Sequence, residues 1–156
     1  MLSLLNDALV GDADVSEARF CTVATALVRP NRKGARMTLA TGGHPLPWVL
    51  HPDGHAEQVG TTGLIVGVFP QAEAYDVVID LAVGDAVVLY TDGVVEERDD
   101  DGRTFGQELL QKVLERSGGG TAAEIVENVI GAVTDFSGRE PRDDVAVVVL
   151  RVAAGA

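Results

Sequence analysis

The segment Val87-Val88-Leu89-Tyr90-Thr91-Asp92-Gly93 carries an apolar run straight into an aspartate and a glycine. It predicts a buried strand with Asp92 at its C-terminal end and Gly93 letting the chain turn sharply away. Taken alone, Asp-Gly at this position reads as a simple turn. A second stretch adds weight. Arg142-Asp143-Asp144 opens Val145–Val152, which is nearly all β-branched and apolar and predicts a strand buried on both faces. Adjacent carboxylates before such a run are costly to desolvate unless paired or bound to a cation. Arg139 and Arg142 are at hand to balance them, and a solvated pair at a strand entrance is the plain reading. If the two strands are antiparallel neighbours, Asp92 and Asp143 emerge together. Carboxylates held close repel, and a divalent cation relieves the repulsion. Oxygen donors favour Mg²⁺ or Mn²⁺ over zinc or copper. Such a pair suits phosphate-ester hydrolysis, where the metal acidifies a water and offsets phosphate charge.

Working outward, leucines 2, 5 and 9 stand at helical spacing and predict a helix over residues 2–10. Residues 21–29 and 36–41 read as a hairpin turning through Arg29–Gly34. Residues 47–51 and 56–59 flank Pro52-Asp53-Gly54, a strong hairpin signal. Residues 75–81 and 86–90 read as strands on either side of Val83-Gly84-Asp85. The period then changes. Leu109, Leu110, Val113 and Leu114 mark a helix over 105–116. Thr121 with Glu124 forms a capping box for a second helix carrying Ile125, Val126, Val129, Ile130 and Val133. Strands in a run, two helices and a last strand predict an α+β fold.

Composition narrows the function classes. A chain of 156 residues predicts one domain. With 12 Lys+Arg against 24 Asp+Glu, the net charge of -12 argues against nucleic acid and anionic membrane surfaces. No apolar run approaches the roughly 18 residues of a membrane span, and the N-terminus lacks the basic start of a secretory signal. Cys21 stands alone, which excludes internal disulfides and cysteine-cluster zinc sites. These features predict a cytoplasmic domain.

Other candidates carry less. His44, in Gly42-Gly43-His44-Pro45-Leu46-Pro47, is a candidate to contact phosphate or protonate a leaving group, although a structural histidine bonding its own loop is the commoner use. Glu97, Asp99, Asp101 and Glu108 approach a calcium-loop spacing but lack its leading Asp and preceding helix, so a solvated acidic loop is expected. His51 and His55 are expected to be exposed, and Cys21 and Trp48 to pack in the core. Gly63–Gly67 lacks the lysine and hydroxyl of a P-loop and reads as a loop near a sheet edge.

Taken in order, Phe20-Cys21-Thr22, Gly42–Pro47, Gly63–Val68, Gly84-Asp85, Leu89–Glu96, Phe105-Gly106 and Asp143–Ala146 resemble the bacterial metal-dependent type 2C protein phosphatases of the sporulation protein E and RsbU kind. The resemblance spans about residues 2–152. It implies an α-β-β-α sandwich with a dinuclear Mg²⁺ or Mn²⁺ site. It also implies hydrolysis of phosphoserine or phosphothreonine by a metal-activated water, typically on an anti-sigma-factor antagonist. Carried over, Asp92 and Asp143 are metal ligands and catalytic, Asp144 binds metal or an outer water, Gly93 shapes the ligand turn, and His44 lies near the substrate.

The family's earlier half, with its metal-bridging aspartate, has no match here. Asp12-Ala13-Asp14-Val15-Ser16-Glu17 holds an aspartate-valine-serine string, but Glu17 and Ala18 stand where glycine and histidine belong. The expectations are a domain truncated at its N-terminus, one metal ion or none instead of two, weak turnover, and a homodimer covering open sheet edges. A catalytically degenerate module that binds a regulatory protein is the alternative, and an acidic structural domain a more distant one.

Overall fold

The computed structural model describes residues 2–11, 20–70, 75–139, 141 and 143–154. Its elements are α1 (Leu2–Gly11), β1 (Val23–Asn31), β2 (Gly34–Gly42), β3 (Trp48–Leu50), β4 (Ala56–Gln58), β5 (Val77–Ala82), β6 (Ala86–Tyr90), α2 (Asp92–Glu96), α3 (Gly106–Arg116), α4 (Ala122–Ser137) and β7 (Val147–Arg151). They divide into two compact units, residues 1–46 with 60–80, and residues 47–59 with 81–156.

In the first unit β1, β2 and β5 form a sheet in that order. The β1–β2 hairpin is longer than the sequence suggests. Pairing continues to Asn31↔Gly34, so only Arg32 and Lys33 make the turn. Pro30 is tolerated because β1 is an edge strand, where a missing N–H need not break the ladder. The Asn31 carboxamide oxygen accepts the Lys33 N–H at 2.8 Å and supports the turn. Helix α1 forms as expected, but its inward face is Leu2 and Asn6; Leu5 is exposed. Asn6 is buried because its amide donates to Phe69 O at 3.0 Å while its oxygen accepts from Gly67 N at 2.9 Å. A polar residue thus occupies a position that leucine spacing assigned elsewhere.

In the second unit the order is β4-β3-β6-β7, with every pair antiparallel. The expected strands 75–81 and 86–90 both form, as β5 and β6, but in different sheets. The core gathers Trp48, Leu50, Val88, Tyr90, Leu110, Leu114, Ile125, Val129 and Val133. Burying each large aliphatic side chain stabilises by about 1.5–3 kcal/mol. Helix α4 starts at the expected capping box: Thr121 accepts from Glu124 N, and the Glu124 carboxylate accepts from Thr121 N at 2.7 Å. It ends at Gly138, whose φ of 65° is left-handed.

Strand β7 departs from expectation. It is an edge strand, and Val148 and Leu150 are exposed while Val147 and Val149 pack on the core. A continuous apolar run does not distinguish a strand covered on both faces from one covered on one.

Candidate metal centre

Strands β6 and β7 pair from Ala86↔Arg151 to Tyr90↔Val147. The C-terminal end of β6 therefore lies beside the start of β7, the arrangement the two acidic motifs required. Thr91 extends the contact, with its N–H donating to Ala146 O at 3.0 Å. Asp92 opens α2 directly after it. Asp92 and the Asp143-Asp144 pair thus emerge at one end of a single strand pair, all three exposed.

Each of the two leading carboxylates makes one short local bond. Asp92 Oδ1 accepts from Gly93 N at 3.1 Å, and Asp143 Oδ1 accepts from Asp144 N at 2.8 Å. Among the described residues neither has a further hydrogen-bond partner. Asp143 and Asp144 also border a cavity of about 340 Å³ lined by Ile130, Val133, Thr134, Pro141 and Val145. Arg139 does not balance this pair. It turns to the acidic loop, donating to Asp100 Oδ1 at 2.8 Å and Arg98 O at 2.8 Å, with Glu97 Oε1 at 3.8 Å. Arg142 lies outside the described residues, as does the Asp12–Glu17 string.

Gly93 serves by a different route than a sharp turn. It is helical, and its φ is not positive. A Cβ there would stand 2.7 Å from the Asp144 carbonyl oxygen. Glycine is required because two backbones, each bearing an acid, approach closely. An all-oxygen donor set of this kind fits Mg²⁺ or Mn²⁺, which take one or two protein carboxylates and keep several waters. Among the described residues no three His, Cys, Asp or Glu side chains converge.

His44 belongs to the first unit, where its Nδ1 lies 3.3 Å from Thr22 Oγ1; it bonds a residue outside its own loop. The loop at 42–45 is tight, since Gly43 has φ of 67° and a Cβ there would meet Ile65 at 2.5 Å. The acidic loop is solvated as expected at Asp100 and Asp101, while Glu97 is buried and Arg103 ties the loop together, binding Asp99 at 2.7 Å and Asp101 at 2.9 Å. His51 is half-buried, not exposed, with its Nδ1 2.8 Å from Asp85 Oδ1. Trp48 is buried as expected, whereas Cys21 is half-buried, its backbone paired with Val66.

Sequence reasoning assigned nothing to the Thr91 hydroxyl or to Gln107. The Tyr90 hydroxyl donates to Gln107 Oε1 at 2.9 Å, and burial, outweighing its hydrogen bonds to Gln107 and Gln58, raises the phenol above its ordinary pKa. Thr91 meets its partners through the β6–β7 register, and Gln107 reaches Tyr90 from the first turn of α3.

The fold is that of PP2C-type phosphatase domains of known structure. Residues 1–153 match the family of Stage II sporulation protein E (SpoIIE), and the chain belongs to that family. It is 27% identical over 143 residues to phosphoserine phosphatase RsbU of Bacillus subtilis (strain 168), covering 91% of this chain and 42% of that protein. The chain therefore spans less than half of that relative's length. The manganese-presoaked phosphatase domain of SpoIIE from Bacillus subtilis superposes with a TM-score of 0.68 at 16% identity, over 96% of this chain and 63% of that one. The RsbU and RsbW domains of Rv1364c from Mycobacterium tuberculosis give 0.62 at 21% identity, over 96% of this chain and 40% of that one. The α+β expectation holds, in the PP2C form. No helix among the described residues is long and apolar enough to cross a membrane.

Proposed function

We propose that residues 1–156 act as a cytoplasmic metal-dependent phosphatase domain that hydrolyses phosphoserine or phosphothreonine on a phosphorylated regulatory protein of the anti-sigma-factor-antagonist kind. The observation that carries the reading is the shared position of Asp92 and Asp143-Asp144, exposed at one end of the β6–β7 pair. Family membership supports it, as does the phosphoserine phosphatase activity named for the RsbU relative.

In this reading Asp92 and Asp143 hold Mg²⁺ or Mn²⁺ with waters completing the shell, and Asp144 anchors an outer water. The metal, when bound, lowers the pKa of water and offsets the charge of the phosphoryl group. Gly93, next to Asp92, lets the backbone there lie against the Asp144 carbonyl, where a Cβ would stand 2.7 Å from the oxygen. The half-buried His44, steadied by Thr22, is the candidate to contact the phosphoprotein.

The test is phosphate release from a serine phosphopeptide with and without Mn²⁺. Release should require the metal and disappear in Asp92→Asn. Full activity in that variant would refute the role of Asp92. Peptide binding without release would mark a binding module instead.

A further inference from the structure

We infer that the Thr91 hydroxyl is a latch that sets the spacing between Asp92 and the Asp143-Asp144 pair, making Thr91 a positioning residue of the metal centre. The inference rests on the metal-site reading above.

Thr91 occupies the N-cap position of α2, with φ of -81° and ψ of 158°. A threonine there ordinarily turns its oxygen to an amide of the helix's first turn. Thr91 makes no such bond. Thr121, the N-cap of α4, does so in the same unit, so the difference lies in the site and not in the residue type. The Thr91 hydroxyl is directed across the strand pair instead. It donates to Asp144 O at 2.8 Å and accepts from Ala146 N at 2.9 Å.

These two bonds take over where the strand ladder stops. Regular pairing ends at Tyr90↔Val147. Beyond it, the Thr91 N–H bond to Ala146 O and the two hydroxyl bonds fix the residue before Asp92 to Asp144 and to Ala146. The carbonyl that receives the hydroxyl is also the one Gly93 packs against. The Asp144 carbonyl is thus held from two sides, by a donor at Thr91 and by close contact at Gly93. A short α2 gives up its side-chain cap to hold this register. Metal affinity depends on ligand separation, and groups that orient ligands typically change it 10–100-fold when removed.

The 156-residue chain and its Thr91→Val, Thr91→Ser and Asp92→Asn variants separate the possibilities. Three readouts apply: Mn²⁺ titration by calorimetry, amide exchange at Ala146 by NMR, and the thermal midpoint. Thr91→Val should bind Mn²⁺ about 10–100-fold more weakly, and its Ala146 amide should exchange faster. Thr91→Ser should restore both. Unchanged Ala146 exchange in Thr91→Val overturns the latch whether or not metal binds. Unchanged Mn²⁺ affinity in Thr91→Val, with binding lost in Asp92→Asn, overturns it too but leaves the proposed function standing. Weakening that serine does not restore assigns the effect to methyl packing and also overturns it. A wild-type chain that takes up no Mn²⁺ overturns the metal reading itself, and with it the purpose of the latch.

Discussion

Strand β6 is bounded by two aspartates that meet opposite fates. Asp85, just before it, is 4% exposed and fully engaged. Its carboxylate accepts from His51 Nδ1 at 2.8 Å and from Ala82 N at 2.8 Å, while its backbone pairs with Val152. Asp92, just after the strand, is exposed and accepts only the Gly93 amide among the described residues. A buried carboxylate must be satisfied by the protein. One left open at a rim, beside a second acidic pair, is available to a ligand. The same residue type at the two ends of one strand is thus closed off by the protein at one end and open at the other, where the proposed function places a metal ligand.

The contrast can be broken at either end. The largest effect is expected from Asp92→Asn, which should lower Mn²⁺-dependent phosphate release by at least ~100-fold, since even indirect supports of a ligand cost up to that much. The urea midpoint of that variant should barely move, within about 0.5 kcal/mol, because the site is exposed. An equally large loss of stability would merge the two roles. Asp85→Ala should do the reverse. It strands the Ala82 N–H and removes the partner of His51, destabilising by about 1–3 kcal/mol in urea unfolding, with Mn²⁺ affinity unchanged.

Gly93→Ala sharpens the contrast at the site end. Its Cβ would press on the Asp144 carbonyl at 2.7 Å. Forcing the backbones apart should cost about 1–3 kcal/mol and weaken Mn²⁺ binding together, a joint loss that Asp85→Ala should not show.

The smallest effect is a pH dependence belonging to the Asp85 end. Burial pulls the His51 pKa down, but the hydrogen bond and charge of Asp85, then those of Glu57, more than offset it, and the net shift is upward. A raised folded-state pKa contributes stability that is fully present below the unfolded value, about 6.5. That contribution is lost as pH rises through the higher folded value. The thermal midpoint of wild type should therefore fall relative to His51→Gln as pH increases from about 6.5. Parallel curves would remove His51 as the titrating partner.

Much of the local structure was legible in residue order. The Thr121–Glu124 box, the Pro52-Asp53-Gly54 hairpin and the stripe Ile125-Val129-Val133 all act within a few residues, where spacing and turn chemistry decide. The misreadings share another cause. Asn6 displaced Leu5 from the inner face of α1 because acceptor and donor waited at residues 67 and 69. His51 is half-buried against the expectation of exposure because its partner Asp85 lies 34 positions away. β7 is covered on one face only, and hydropathy does not report which strand stands at a sheet's edge.

Residue order alone determined that a buried strand leads up to Asp92, that another begins after Asp143-Asp144, and that the composition is acidic and suits hard cations. Only the tertiary structure decided that these ends adjoin, that Gly93 is there for close approach, and that the Thr91 hydroxyl spans the gap. Propensity and capping act over one turn of chain, whereas satisfying or exposing a carboxylate depends on groups that only the folded register delivers.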